Sequence, residues 1–279
     1  MIILNFVIEA VKFIIYCSLI VLVSKHILAG TIRKLAMNLK LSSKTVGGIA
    51  GYATSIPELL TVAASSINGL MGASMYNILS SNIINLLQYL ASILINKNHK
   101  ALKNIVIKID LLLVLATIIL PIIFIKLNFG TNIITVILCI VLYVFFRYID
   151  ANAHKLYLKT KEKHENHKKQ SKEWGKSIKY IVLLMACGIL LFVVGDLLGE
   201  TLKNLCYIFN IPEIIIGILL GFITSIPELI TFFEAQMHHK KFANQEEGVI
   251  EATNNLFTSN IVNLFIIQSV GVLIYIIFA

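Results

Sequence analysis

Apolar residues run along this chain in long blocks separated by short polar stretches. A membrane-crossing helix needs about 20 mainly apolar residues. Eight segments meet that length: 2–28, 45–67, 71–95, 104–125, 131–149, 178–198, 212–235 and 250–278. The fourth and fifth are the most apolar. The second, third, seventh and eighth interleave Gly, Ser, Thr, Asn, Pro and Glu with their apolar residues. Lipid-facing helices have no use for those side chains, whereas helices that line something polar do. The pattern predicts an all-α integral membrane protein with about eight transmembrane helices. The first segment lacks a basic leader and a small-residue cleavage site, so it reads as a spanning helix rather than a removed signal peptide.

Composition agrees with this reading. Hydrophobic residues make up 57% of the 279 and charged residues only 14%. A soluble domain is roughly a quarter charged, so too few polar side chains remain here to cover a water-facing surface. The formal charge of +9 raises the question of nucleic acid, but the bases form no stripe with interleaved aromatics. They fall in loops instead. Of 24 Lys and Arg, 20 lie in one alternate set of loops, and only Lys126 and Lys203 lie in the other. Lys12 and Lys108 fall inside spans. The asymmetry predicts basic loops in the cytoplasm and both termini outside a cell membrane. Expected partners are therefore the lipid bilayer and inorganic cations, with no nucleic acid. The cysteines at 17, 139, 187 and 206 are scattered, without a CxxC pair, and read as small core or lipid-facing residues.

The chain repeats itself. Gly51–Thr61 reads GYATSIPELLT and Gly221–Thr231 reads GFITSIPELIT, identical at eight of eleven positions. Asn77–Leu86 reads NILSSNIINL and Asn255–Leu264 reads NLFTSNIVNL. The two TSIPEL segments are spans two and seven, an odd number apart, so they enter the membrane from opposite sides. That is an inverted-topology repeat, the arrangement that places a binding site near the bilayer midplane. Residues 1–150 form a first half around α-repeat 1 (about 45–95). Residues 151–177, with the run KTKEKHENHKKQSKEWGK, form a basic cytoplasmic linker. Residues 178–279 form a second half around α-repeat 2 (about 212–271).

The repeated residues suit a cation. A carboxylate inside a span is costly unless paired, protonated or bound to a cation. For Glu58 and Glu228 the intramembrane bases are Lys12 and Lys108, and these have likelier partners close by in Glu9 and Asp110. Pro57 and Pro227 withhold the N–H that would reach the carbonyls of Ala53 and Ile223. Thr54, Ser55, Thr224 and Ser225 add hydroxyls within about one turn. Ser81 and Asn85 share a helix face, as do Ser259 and Asn263. For the two Asn of those pairs, ligation and interhelical packing are both open readings. Asn77, Asn82, Asn255 and Asn260 read as packing residues. Every donor in this set is oxygen, which favours hard ions such as Na⁺ or Ca²⁺. Two carboxylates balance one Ca²⁺ or two monovalent ions, so one site could exchange one species for the other, and protons should compete for it.

TSIPEL followed by SNIxN, in two inverted copies around a basic loop, resembles the α-repeats of the sodium/calcium exchangers, within the broader cation/Ca²⁺ exchanger superfamily. The family pattern is close to GTSxPE and GSNxxN or GSNxxD. The resemblance implies an alternating-access antiporter, not an enzyme. It carries Ca²⁺ and Na⁺ (or H⁺) as transported ions and needs no cofactor. It implies ion ligation by Glu58, Thr54, Ser55, Ser81 and Asn85, and by Glu228, Thr224, Ser225, Ser259 and Asn263. Carbonyls near Gly51 and Gly221 join them.

Three departures bear on the expectation. The Gly of GTS is Ala53 or Ile223 and the Gly of GSN is Ser80 or Thr258, which predicts a different helix approach. Asn263 stands where many members have Asp. Members typically have ten helices as five plus five, and five plus three are legible here, which leaves room for a homo-oligomer in which a second subunit supplies cover. A non-transporting subunit or cation sensor with the same fold is the alternative of another class. No GxSxG, HExxH or paired intramembrane aspartates argue for an enzyme.

Overall fold

The computed structural model describes residues 2–23, 27, 30–31, 41–127, 132–161, 174–240 and 244–278. The described residues are almost entirely helical, as the hydropathy blocks predict. Helix α1 spans Ile2–Val23. The second block is split into α2 (Ser43–Thr54) and α3 (Ile56–Ile67), and α4 covers Met71–Ile95. Helices α5 (Ile105–Lys126), α6 (Ile133–Lys161) and α7 (Trp174–Lys203) follow. The seventh block is split into α8 (Glu213–Thr224) and α9 (Ile226–Lys240). The last block holds α10 (Gln245–Ile261), a π-helical stretch over Val262–Ile267, and α11 (Gln268–Phe278).

Six of these rods among the described residues are long and apolar enough to cross a membrane. They are the first, third, fourth, fifth, seventh and eighth of the eight expected spans. The α2–α3 rod falls short on hydropathy because Gly, Thr, Ser and Glu take the place of apolar residues, which is the feature that marks it as a lining helix. Helices α6 and α7 run past the predicted bounds of 149 and 178, so helix takes up both ends of the predicted linker. Residues 162–173 of the linker lie outside the described residues, as do Lys25, Arg33, Lys34, Lys40 and Lys241.

Local chemistry starts and stops these helices. Ser42 caps α2 by accepting the Thr45 N–H at 3.3 Å, and Asn104 caps α5 by accepting the Val106 N–H at 2.9 Å. Helix α5 continues through Pro121. That proline has no N–H for the carbonyl of Thr117, four residues back. Asn82 Nδ2 donates to this carbonyl instead, at 3.4 Å. In lipid a freed carbonyl needs such a partner.

The repeats pack reciprocally. Helix α2 of the first repeat lies on α10 of the second, and α8 of the second lies on α4 of the first. A Cβ built on Gly51 would sit 2.7–2.9 Å from Asn255 O, Thr258 Cβ and Ser259 N. One on Gly221 would collide with Ser80 Oγ and lie 2.6 Å from Asn77 O. The glycine absent at 80 and 258 is present on the facing helix at 221 and 51, and the backbones still meet closely.

Exposed apolar side chains such as Leu4, Ile14, Leu112, Ile119, Ile137 and Val144 cover the outward faces of α1, α5 and α6, where lipid contacts them. Two apolar clusters form the interior. One gathers Tyr89, Phe232, Phe257 and Phe265, the other Leu70, Leu198, Leu202 and Leu220. The described cysteines are all buried thiols.

Candidate functional site

The site is built where the two split helices break. Ser55 terminates α2 with φ −80° and ψ −1°, and Ser225 terminates α8 with φ −78° and ψ −4°. The sequence predicts a proline kink, and each rod breaks at one serine, across which Ser55 N–H still reaches Gly51 O and Ser225 N–H reaches Gly221 O. Pro57 and Pro227 fall in the first turn of the new helix, where proline's missing N–H costs nothing. Glu58 and Glu228 lie in that same first turn. A helix N-terminus offers partial positive charge to a carboxylate, which offsets part of the cost of burying one.

All ten predicted site residues are at most 1% exposed, and Glu58, Glu228, Thr54, Thr224, Ser55, Ser259 and Asn85 meet in this region. The two carboxylates lie near enough to interact through their charges. Thr224 faces Glu58 and Thr54 faces Glu228, across the boundary between repeats. Each threonine proton is committed to its own helix: Thr54 Oγ1 donates to Ala50 O and Thr224 Oγ1 to Leu220 O, both at 3.0 Å. Ser55 Oγ donates to Gly51 O at 2.9 Å and Ser225 Oγ to Gly221 O at 2.7 Å. Ser81 Oγ donates to Asn77 O at 2.9 Å. A hydroxyl whose proton is spoken for presents only lone pairs to whatever else it faces.

The two halves differ in one respect. Ser259 Oγ donates to Glu228 Oε1 at 2.9 Å and lies 3.0 Å from Ser55 Oγ. Neither oxygen of Glu58 has a hydrogen-bond partner, and Glu228 Oε2 has none. No Lys, Arg or His pairs with either glutamate among the described residues. Lys12 is occupied with Glu9, at 2.9 Å, as expected. Asp110 is not the partner of Lys108. It accepts from or donates to His154 Nε2 at 3.1 Å, while Lys108 is exposed. Residues two apart on a helix point to different faces.

The asparagines sort into two kinds. Asn82 and Asn260 each donate to the other's main-chain carbonyl. Asn85 Nδ2 donates to Asn260 Oδ1 at 3.2 Å and Asn263 Nδ2 to Asn82 Oδ1 at 3.3 Å. The packing reading holds for Asn82 and Asn260. The amide oxygens of Asn85, Asn263, Asn77 and Asn255 are buried and without a partner. Those of Asn77 and Asn255 are beyond the ten residues foreseen. Their spacing carried the signal: Asn77, Ser81 and Asn85 recur every four residues, as do Asn255, Ser259 and Asn263, so each trio lines one helix face. Asn263 also lies in the π-helical stretch of the last rod, a local widening frequent at functional sites.

A second buried polar group was not foreseen. Asp110, Asp150 and His154 bring side-chain atoms within 4.8 Å of one another. Lys44 Nζ holds both oxygens of Asp150, at 2.8 and 2.9 Å, and Arg147 stands 3.9 Å away. Lys44 and Arg147 supply positive charge beside these aspartates, whereas no base pairs with either glutamate among the described residues.

Comparison with known proteins agrees with this fold. A family model described as sodium/calcium exchanger protein matches residues 10–150 and 179–278. Among solved structures, the sodium-calcium exchanger NCX_Mj soaked with 100 mM Na⁺ and 10 mM Sr²⁺ aligns with a TM-score of 0.55 at 20% identity. That alignment covers 96% of this chain and 83% of the other. The crystal structure of the H⁺/Ca²⁺ exchanger CAX aligns with a TM-score of 0.57 at 16% identity, over 95% of this chain and 69% of the other. At these identities the likeness to both is one of fold. No curated protein matched the chain.

Proposed function

Since this chain belongs to the sodium/calcium exchanger protein family, we propose that it is a secondary active antiporter exchanging Ca²⁺ for Na⁺ by alternating access. The cation ligands are Glu58, Thr54, Ser55, Ser81 and Asn85 from the first repeat, with Glu228, Thr224, Ser225, Ser259 and Asn263 from the second. The observation that carries this reading is the set of buried oxygens with no hydrogen-bond donor: both of Glu58, one of Glu228, and the amide oxygens of Asn85 and Asn263. A buried carboxylate left without a partner is strongly unfavourable. A cluster of such acceptors is stabilised by a hard cation.

Two carboxylates set the charge that the site balances. One Ca²⁺ or two Na⁺ neutralise them, and the two loads cannot be held together without leaving uncompensated positive charge. Competition for the same oxygens is exchange. The inverted repeat gives the site two near-equivalent surroundings, one toward each face, and alternating access follows if the closely packed pairs α2/α10 and α4/α8 rearrange in turn. The basic loops support a cytoplasmic linker and termini outside a cell membrane.

H⁺ as counter-ion is the second reading. It is favoured by the bare oxygens of Glu58, which a proton also satisfies. The test is radioactive calcium uptake into proteoliposomes with an outward Na⁺ gradient, an outward H⁺ gradient, or neither. Wild type is run beside Glu58→Gln and Glu228→Gln. Uptake driven by Na⁺ and lost in both variants is expected. Uptake driven only by H⁺ selects the second reading. No calcium movement by properly inserted protein under any gradient overturns the antiporter and leaves the non-transporting subunit.

A further inference from the structure

We propose that the amide oxygens of Asn77 and Asn255 are additional cation ligands, one on each route between the central carboxylates and the two faces of the membrane. The proposal rests on the antiport reading above and goes beyond its ligand set.

The amides are oriented by chemistry rather than by choice of placement. Asn77 Nδ2 donates to Thr61 Oγ1 at 2.7 Å. Thr61 has a single hydroxyl proton, and its oxygen lies 3.0 Å from Pro57 O and 3.1 Å from Glu58 O, both pure acceptors. Thr61 therefore only accepts from Asn77, and the amide must turn its NH₂ toward it. Asn77 Oδ1 is left facing the other way, buried and without a donor. The second repeat does the same. Asn255 Nδ2 donates to Thr231 Oγ1 at 2.5 Å, Thr231 Oγ1 donates to Glu228 O at 2.9 Å, and Asn255 Oδ1 has no donor. Asn82 and Asn260, which act as struts at the crossing, have both ends satisfied. Two copies with the same end bare, at positions related by the repeat, point to a ligand that needs an oxygen there.

Their placement gives each a side. Helices α4 and α10 cross antiparallel, since Asn82 meets Asn260 and Tyr89 Oη lies 2.7 Å from Thr253 Oγ1. Asn77 precedes the 82/260 crossing by five residues on α4, and Asn255 precedes it by five on α10. At the helical rise these are about 7.5 Å on opposite sides of the crossing. Helix α10 begins five residues after Lys240, the last residue of α9, so Asn255 lies toward the face with the basic loops and Asn77 toward the other. A neutral amide contributes one oxygen without trapping the ion, which suits a stage that the ion must leave again.

The test is the KM for Ca²⁺ measured separately at each face, in whole cells and in everted vesicles of a host without its own calcium exchange. Asn255→Leu is expected to raise KM about tenfold at the basic-loop face, the loss of one modest ligand interaction, with little change at the other face. Asn77→Leu is expected to do the mirror image. Asn→Asp at either position, which keeps an oxygen and adds charge, is expected to lower KM at that position's face only. If the leucine variants do not elute as monodisperse protein, the aspartate variants carry the test. Changes equal at both faces, or absent, overturn this proposal while leaving antiport intact. Wild type without flux at either face overturns the antiport reading, and this one with it.

Discussion

Asn82 and Asn260 each donate a side-chain N–H to the other's main-chain carbonyl, at 3.2 and 3.1 Å. They do so where the partner helices of the two repeats cross, so the pseudo-symmetry of the sequence is closed by a two-way bond at the centre of the molecule. The same two side chains accept from Asn263 and Asn85, and Asn82 also holds the carbonyl bared by Pro121. Four asparagines and a proline thus form one network beneath the glutamates.

Loss of that crossing bond should destabilise the fold. Asn82→Leu strands two buried carbonyls and an amide, and Asn260→Leu one carbonyl and an amide, at about 1–3 kcal/mol each. Thermal unfolding in detergent should show the loss, and the double variant should lose less than the sum, because both substitutions remove one shared network. Additive losses would mean that the two residues act separately.

Cation binding should stabilise the protein through the same glutamates. With Ca²⁺ at about one hundred times its dissociation constant, linkage contributes about 2.7 kcal/mol, read as a rise in melting temperature. Glu58→Gln should abolish the rise while raising the melting temperature of the cation-free protein, since it replaces an unpartnered buried charge with a neutral amide. A Ca²⁺-dependent rise that survives in both Glu58→Gln and Glu228→Gln would place the ion elsewhere.

Close helix approach should be intolerant of one methyl group. Gly221→Ala drives a Cβ into Ser80 Oγ and to 2.6 Å from Asn77 O. Overpacking of this kind costs about 1–3 kcal/mol. Ser80→Gly should rescue only part of it, because the backbone contact at Asn77 remains. Full rescue, seen as a restored melting temperature, would show that the side chain alone sets the limit.

Acid should inhibit by competition. A proton on Glu58 or Glu228 occupies an oxygen that the cation needs, so lowering pH should raise the apparent KM for Ca²⁺ and leave the rate at saturating Ca²⁺ unchanged. The sign follows because protonated carboxyls bear no charge for the cation to neutralise. A KM that stays flat on acidification in flux assays would contradict it.

The Lys44–Asp150 pair should be structural. Asp150→Asn leaves the half-buried ammonium of Lys44 with a poorer partner, and His154 with one carboxylate in place of two. About 1–3 kcal/mol of stability should be lost, measured by thermal unfolding, with the KM for Ca²⁺ unchanged in the protein that remains folded.

Much of this molecule is legible in the chain alone. Span positions follow from hydropathy, because the bilayer demands an apolar length whatever the helix packs against. The inverted repeat follows from two motifs and the parity of the spans between them. All ten expected site residues are buried, because polar groups repeated inside lipid-spanning helices have to face inward. Even the sharing of a face by Asn77, Ser81 and Asn85 was available from spacing.

Tertiary structure decided what depends on neighbours distant in sequence. Asn77 and Asn82 are the same residue five positions apart, and only the atoms around each separate a half-bare amide from a fully bonded strut. The choice of His154 over Lys108 as partner for Asp110 was decided by which faces of α5 and α6 meet. The glycines that allow close helix contact, Gly51 and Gly221, face Thr258 and Ser80 on the opposite helix, so one motif read alone does not show what each meets. Hydropathy and spacing are properties of a single helix. A hydrogen bond, an ion pair or a steric limit belongs to two surfaces at once, and only the packed structure brings those surfaces together.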